Sequence, residues 1–566
     1  MKRTLVLAGA LALGLLSGLT PASAVSTPVA TQENVRHLAT VPGNTGGHVV
    51  AEGNRLYMGN YGTGLSAYDI SDPRNPVKIG QYLPGPSATD GVDTGVRADA
   101  VPDAAIWDGR HIVSLGGTLR GPNRVQTEFI DFTDPANPQL LRRFAGSNLS
   151  GGADGESHNG DIVDARKLFL PSGGTGNNGL RIYDMRPLLN SPAGAPARLG
   201  GWNPHSLWQN SPYRINYGKA PGSVFDHTHD LEVYTDLRVL LPEWEWEDQD
   251  EDGEPDPTYG NKDVVLLAAA LGGNNGGAVY VIDITNPRAP VAMGKWENTS
   301  GNTIDYLHEV QFLHGDPSTL VVTDEHMTAG CAEGALYTVR ISENLSHMTK
   351  LGEWTIDGGA HDTPGTCMGS HVISSHDRHV FMGAYTAGLQ VIDLRNPAQP
   401  RRAGRYIAEG QNSWGALYHQ GVVYTGDFGG RGLDVFEFIK DPVAKAFVKA
   451  GHPQTAGNGT FDPIYGVSEE LAKCAPDSQL NGVDGFWVRI PEDKRDGTAT
   501  FRALGSGPAG LYDVDVWFMN ANCSQYVEPH LASEGTDEEG LIPEGAAYAV
   551  VSLYMGSPQW VYAQIL

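Results

Sequence analysis

One short motif recurs along this chain, and it limits the possible folds more than any other feature. Gly64-Leu65-Ser66-Ala67-Tyr68-Asp69-Ile70 runs into Ser71-Asp72-Pro73-Arg74-Asn75-Pro76 and then Val77-Lys78-Ile79-Gly80-Gln81-Tyr82. The pattern returns at Phe129-Ile130-Asp131 with Asp134-Pro135-Ala136-Asn137-Pro138, and at Val279-Tyr280-Val281-Ile282-Asp283 with Asn286-Pro287-Arg288-Ala289-Pro290. A fourth copy is Leu389-Gln390-Val391-Ile392-Asp393 with Asn396-Pro397-Ala398-Gln399-Pro400; weaker copies surround Ile182-Tyr183-Asp184 and Leu336-Tyr337-Thr338-Val339. Asp or Asn before proline caps a turn, and proline ends a strand ladder. A full unit reads as four short strands: His371 to Ser375, His379 to Tyr385, Gly388 to Leu394 and Arg402 to Tyr406. Four-strand units repeated at this spacing predict the blades of a β-propeller.

Blades are expected to begin near His48, Ala98, His158, His229, His308, His371 and Trp414. The last has strands near Ala416 to Tyr418, Val422 to Asp427 and Leu433 to Ile439 but no fourth. Asn34 to Val41 resembles the closing strands Val77 to Leu83 and Pro400 to Tyr406. It would complete the seventh blade and cover two sheet edges. The 72 glycines, 36 prolines and low charged fraction of 19% suit many short strands joined by tight turns. The expected fold is therefore all-β: a seven-bladed propeller over residues 25–440 closed by an N-terminal strand, a linker over 441–458, and a small β-sandwich over 459–566. Strands of the last are expected at Gly485 to Ile490, Thr498 to Ala503, Leu511 to Met519 and Ala547 to Met555.

The motif G-L-x-V-x-D-x-x-N/D-P-x-x-P, carried over roughly residues 34–440, resembles the LVIVD-repeat family of secreted and surface bacterial propellers. That resemblance implies the architecture and no single activity. The C-terminal alternating strands are similar to pre-peptidase C-terminal-type modules of exported bacterial enzymes, which implies a role in secretion, substrate attachment or stability.

Lys2 and Arg3, the apolar run Leu5 to Leu19 and Ala22-Ser23-Ala24 read as a signal peptide over residues 1–24, so a secreted, extracellular protein is expected. No later stretch is apolar enough to span a membrane. The four cysteines, Cys331, Cys367, Cys474 and Cys523, have no C-x-x-C spacing. They are expected to form disulfides, with nearest-neighbour pairs Cys331–Cys367 and Cys474–Cys523. A formal charge of −27 without a basic cluster disfavours nucleic acid and anionic lipid as partners.

Two constellations carry chemistry. His48, His158, His229, His308 and His371 share one phase at the start of their blades, and radial repetition would bring them to the central channel. His227 and His326 are further candidates for a transition-metal site, and His361-Asp362 sits on a loop of the same face. Acids adjoin them as His229-Asp230, His308-Glu309 and Asp324-Glu325-His326. Neutral imidazoles with open positions suit Cu, Zn, Fe or Mn, and Asp230 or Glu309 would orient a ligand or act as a base. The competing reading is that a repeat copies structural histidines as readily as functional ones. The second constellation, Asp248, Asp250, Asp252, Glu254 and Asp256 around Gly253, has the spacing of a calcium loop, although Tyr259 stands where an EF-hand needs its bidentate Glu. No G-x-S-x-G, H-E-x-x-H or phosphate-cradling loop is present. Two functions remain: a calcium-stabilised propeller binding a small molecule, glycan or protein ligand, or a metal-dependent oxidoreductase or hydrolase.

Overall fold

The computed structural model describes residues 31–43, 45–60, 63–83, 101–116, 127–144, 159–163, 165–172, 180–191, 194, 196–202, 226–235, 237, 262–271, 277–297, 307–325, 335–356, 369–448, 485–506, 512–521, 527–531, 537–555 and 559–566. His158, His326, His361, Asp362, all four cysteines, the Asp248–Asp256 loop and residues 1–24 lie outside the described residues. The side chain of His227 does so as well. No described helix is long and apolar enough to cross a membrane.

The chain opens with β1 (Thr31–Glu33) and β2 (Val35–Pro42). A first antiparallel sheet follows: β3 (Gly46–Glu52), β4 (Arg55–Asn60), β5 (Gly64–Asp69) and β6 (Val77–Tyr82). The second is β7 (Val101–Trp107), β8 (Arg110–Gly116), β9 (Thr127–Asp131) and β10 (Gln139–Phe144). The third is β11 (Asn159–Val163), β12 (Leu168–Ser172), β13 (Leu180–Asp184) and β14 (Ala197–Trp202). The fourth is β15 (Asp226–Tyr234), β16 (Val264–Leu271), β17 (Ala278–Asp283) and β18 (Val291–Glu297). The fifth is β19 (Leu307–Leu313), β20 (Asp316–Asp324), β21 (Ala335–Ile341) and β22 (Met348–Thr355). In the sixth, β23 (Ile373–His376), β24 (His379–Gly383), β25 (Leu389–Asp393) and β26 (Arg401–Ile407) take β1 as an added edge strand. The next sheet, β27 (Ser413–His419), β28 (Val422–Asp427) and β29 (Gly432–Phe438), pairs with β2 through Val35↔Phe438 to Pro42↔Gly432.

These sheets form one architecture because their apolar faces are buried against one another. Clusters of buried side chains lie between neighbouring sheets: Tyr57 and Leu65 meet Val113 and Ile130, and Val264 and Val281 meet Val310 and Val322. The same kind of cluster joins the last sheet to the first, where Leu56, Met58 and Tyr68 pack on Val422, Tyr424 and Leu433. Each first strand touches the next, and β27 touches β3. This is a β-propeller arrangement.

The repeated motif is explained by hydrogen bonds and by one close approach. The strand-ending Asp accepts a backbone N–H two residues on: Asp69 from Ser71 (2.8 Å), Asp131 from Thr133 (2.9 Å), Asp283 from Thr285 (2.9 Å) and Asp393 from Arg395 (2.9 Å). The Asx before proline repeats the device, Asp72 accepting from Arg74 at 3.1 Å and Asp134 from Ala136 at 3.1 Å. Asx turns of this kind pre-form the tight link to the fourth strand. The glycine of that fourth strand then nests against the turn of the following sheet. A Cβ on Gly80 would overlap the carbonyl of Pro135, and one on Gly352 would lie 2.6 Å from that of Pro397. Gly80→Ala is therefore expected to lower stability by about 1–3 kcal/mol through overpacking, read as a fall in the denaturant midpoint with an unchanged slope. At Gly404 the neighbour is Glu33 and Val35 of the N-terminal segment, in place of a turn.

The C-terminal unit comprises β30 (Ala444–Val448), β31 (Gly485–Arg489), β32 (Thr500–Gly505), β33 (Asp513–Met519), β34 (Glu538–Leu541), β35 (Tyr548–Met555) and β36 (Gln559–Ile565). They form two sheets, β30-β36-β32-β34 and β31-β35-β33, sharing a core of Phe501, Val516, Phe518, Val551 and Val561. The linker expected over 441–458 is corrected here: β30 lies inside it and pairs with β36 from Ala444↔Ala563 to Val448↔Gln559. A five-residue strand whose partner among the described residues lies more than a hundred residues away has no local signature. The two units are pinned together by Arg36, which bonds to Glu437 at 2.6 Å and reaches Asp537 and Tyr512 in the second unit.

Candidate metal and channel site

The first strands β3, β15 and β19 carry His48, His229 and His308, and a local irregularity aims them; His371 lies just ahead of β23. In β15 the pairing with β16 shifts between Thr228 and Leu231, in β19 between Leu307 and Val310, and in β3 between Gly46 and Val49. His229-Asp230, His308-Glu309 and His48 sit within these bulges. On a regular strand adjacent side chains point to opposite faces. A bulge sets two residues against one and re-aims both, so a histidine and its neighbouring acid can serve one site.

His229, His308 and His371 come together as a trio of mutually tilted rings, each neighbouring pair inclined by 45°. Their ring centroids are 4.1 Å apart for His229 and His308, and 3.9 Å for His308 and His371. All three are buried, His308 to 1% exposure. Glu325, the residue after β20, faces them: its carboxylate lies 3.8 Å from His308 Nε2 and 3.7 Å from His371 Nε2. Ligand atoms of His229, His308 and Glu325 all fall within 4.8 Å of one another. The Tyr385 hydroxyl donates to Glu325. Tyr385 holds a left-handed φ of 47° that is costly outside glycine, and backbone bonds to Ser413 fix it there. The Nδ1–H of His371 donates to the Trp414 carbonyl at 2.7 Å. This sets the tautomer and leaves the Nε2 lone pair directed at the Glu325 side, the arrangement by which a backbone carbonyl orients a metal-binding imidazole.

Beside the trio runs a channel of about 660 Å³ between the first strands, lined by His48, Asp103, Asp161, Asp230, Glu232 and Glu309 among others. Asp230 and Glu309 join the two sites, since their carboxylates and a nitrogen of His308 also lie within 4.8 Å of one another. The channel side chains latch each sheet to the next. Asp103 accepts from Ile162 N–H, Asp161 from Val233 N–H (2.9 Å), the Tyr234 hydroxyl from Phe312 N–H (3.1 Å), and Glu309 from Ile373 N–H (2.8 Å). Packing acids together out of bulk water favours their neutral forms. Burial, and then the Asp230 charge, push Asp103 up to about 6; burial, Asp230 and Asp103 push Glu232 up to about 8. Burial raises Asp161 and Glu309 well above the usual carboxylate range, with Glu232 next for the first and Asp230 for the second.

A carboxyl raised in the folded state binds its proton while the unfolded chain has lost it, so stability falls as pH rises through that interval. For Glu232 the interval runs from about 4.3, the ordinary glutamate value, to about 8. Glu232→Gln is expected to melt higher than the parent at pH 8.5 and to show a smaller drop between pH 5 and pH 8.5. Thermal melts at the two pH values decide it; parallel pH dependence in both proteins would refute it.

Of the histidines singled out by sequence, the structure groups His229, His308 and His371; His48 lines the channel beside Gly415. Glu325 is the described loop residue that reaches the trio. Tyr385, Asp161 and Glu232 were not anticipated. Asp161 and Glu232 could have been found from their register on first strands, three residues after His158 and His229. Tyr385 had no such signal.

Residues 43–83 match the LVIVD repeat family. No curated protein matches the chain in sequence. Among solved structures, the chain is similar to the β-propeller domain of Cps50 from Myceliophteria thermophila (9% identity, 70% of this chain and 98% of that one, TM-score 0.41). It is also similar to the periplasmic gluconolactonase of Pseudomonas aeruginosa (11% identity, 63% and 82%, TM-score 0.41). A 6-phosphogluconolactonase-like protein of Bacteroides fragilis matches at 9% identity over 71% and 88%, with a TM-score of 0.40. The chain is thus an all-β protein with a propeller fold that carries an LVIVD repeat at residues 43–83.

Proposed function

We propose that this chain is a secreted metal-dependent enzyme, an oxidoreductase or hydrolase, whose divalent transition metal is held by His229, His308, His371 and Glu325 at one end of the propeller channel. The observation that carries this reading is the buried Glu325 carboxylate, 3.8 Å from His308 Nε2 and 3.7 Å from His371 Nε2, with a ligand atom of His229 within 4.8 Å of those of His308 and Glu325. Donors about 2.0–2.2 Å from a tetrahedral ion stand roughly 3.3–3.6 Å from one another, so the two spacings to Glu325 need only slight closure, whereas His229, within 4.8 Å of His308 and Glu325, would have to move in on binding. Three imidazoles and a carboxylate suit Zn, Fe or Mn, with Cu as a further occupant. Bound there, the ion would supply Lewis acidity to a substrate oxygen. The protein's own groups do the rest: Tyr385 orients Glu325, the Trp414 carbonyl orients His371, and Glu309, its carboxyl raised by burial and by Asp230, lines the channel wall.

Several features belong to this reading. The seven sheets are seven blades of one ring closed by β2, supported by the β2–β29 pairing and by the apolar cluster between the last sheet and the first. Asp248 to Asp256 form a calcium loop in the insertion between β15 and β16, the cysteines are disulfide-bonded, and residues 1–24 direct export.

The test is elemental analysis of protein purified without an affinity tag. About one transition metal per chain, lost on chelation and restored by readdition, is the expected result. Calcium alone would overturn the enzyme reading and favour a calcium-stabilised binding propeller, for which the polar channel offers a ligand site.

A further inference from the structure

We propose that the C-terminal unit holds a calcium site of its own, built from Asp513, Asp515 and Glu538. β33 and β34 are the outermost strands of the two sheets in this unit. Asp513 and Asp515 are two residues apart and share one face of β33, opposite Val514 and Val516, which enter the core. Glu538 opens β34 and brings the third acid from the other sheet. One carboxylate oxygen from each lies within 4.8 Å of the others. The three residues are only 8%, 6% and 5% exposed.

Asp515 supplies the decisive observation. Its side chain is more than nine-tenths buried and aimed into the cluster, and among the described residues nothing donates a hydrogen bond to its carboxylate. A buried carboxylate needs a donor or a cation, and gathering three multiplies the cost through like-charge repulsion. The donor set is oxygen only, which suits a hard ion, and calcium accepts irregular geometry more readily than magnesium. Nitrogen-seeking metals would prefer the histidine trio. The ion would tie the outermost strands of the two sheets to each other.

The experiment uses the full-length, tag-free, chelated protein, titrated with CaCl2 by calorimetry and melted with and without calcium. A background variant, Asp248→Asn with Asp250→Asn, silences the insertion loop. In that background calcium is still expected to bind and to raise the melting transition by about 3–6 °C at saturating ion. Adding Asp515→Asn should remove one calcium per chain and abolish the shift, while in chelator the variant melts no lower than its parent because a repelling charge is gone. Glu538→Gln is the second variant and should weaken calcium binding at least tenfold. The proposal is overturned if the loop-silenced protein binds no calcium, or if its calcium count and shift survive Asp515→Asn.

Discussion

His308→Ala is expected to empty the candidate metal centre, lowering transition-metal affinity by well over ~100-fold, because even outer-shell partners of a metal site cost 10–100-fold when removed. His308 is the middle ring of the trio and, among the described residues, the one imidazole grouped with both Glu325 and the Asp230–Glu309 pair. Its loss therefore disconnects the trio from the channel as well as deleting a donor. Tyr385→Phe should do less, about 10–100-fold, since it leaves every donor in place and only releases Glu325 from its hydroxyl partner. Metal content after dialysis against a weak chelator, alongside far-ultraviolet circular dichroism, separates loss of ligand from loss of fold. A folded His308→Ala protein that keeps stoichiometric metal would show that the trio is only a packed seam between sheets.

Arg36→Met is expected to be the most damaging change to the fold outside the apolar clusters, costing about 3–5 kcal/mol, the usual loss when one member of a buried ion pair is removed. Arg36 and Glu437 are 4% and 5% exposed, so solvent screens them little. Arg36 sits on β2, bonds to Glu437 on the paired strand β29, and extends to Asp537 and Tyr512 of the second unit. One side chain thus joins the N-terminal strand, the last propeller sheet and the C-terminal unit. Burial alone would raise the Glu437 carboxyl, but Arg36, Arg502 and Arg74 outweigh it and hold it below the ordinary range. A depressed carboxyl contributes stability above its unfolded value, about 4.3, and that contribution fades as pH falls through the folded value. The gap between parent and Arg36→Met should accordingly be full at pH 7 and shrink below about pH 4. Denaturant melts at pH 7 and pH 3.5 measure it; an equal gap at both would exclude the ion pair as its source.

The propeller is legible in the sequence because its determinants are local and repeated. An Asp two residues before a turn, an Asx-Pro pair and a glycine in the following strand each act within a dozen residues, as Asp69, Asp72 and Gly80 do. Repetition then marks the histidines that open the first strands, so His229, His308 and His371 could be proposed together. The partners that turn them into a site come from elsewhere: Glu325 from the end of a second strand and Tyr385 from a strained turn of the next sheet. Neither position repeats, so neither leaves a mark in the motif.

By itself, then, the sequence determined the strand-turn code and the phase of the imidazoles, since both are encoded in short-range backbone hydrogen bonding and side-chain alternation. Only the tertiary structure decided which imidazoles meet, which acid faces them and that Ala444–Val448 belongs to the second unit. The physical reason is that bulges, inter-sheet packing and pairings across hundreds of residues depend on closing the chain in space, and no window of sequence contains that closure.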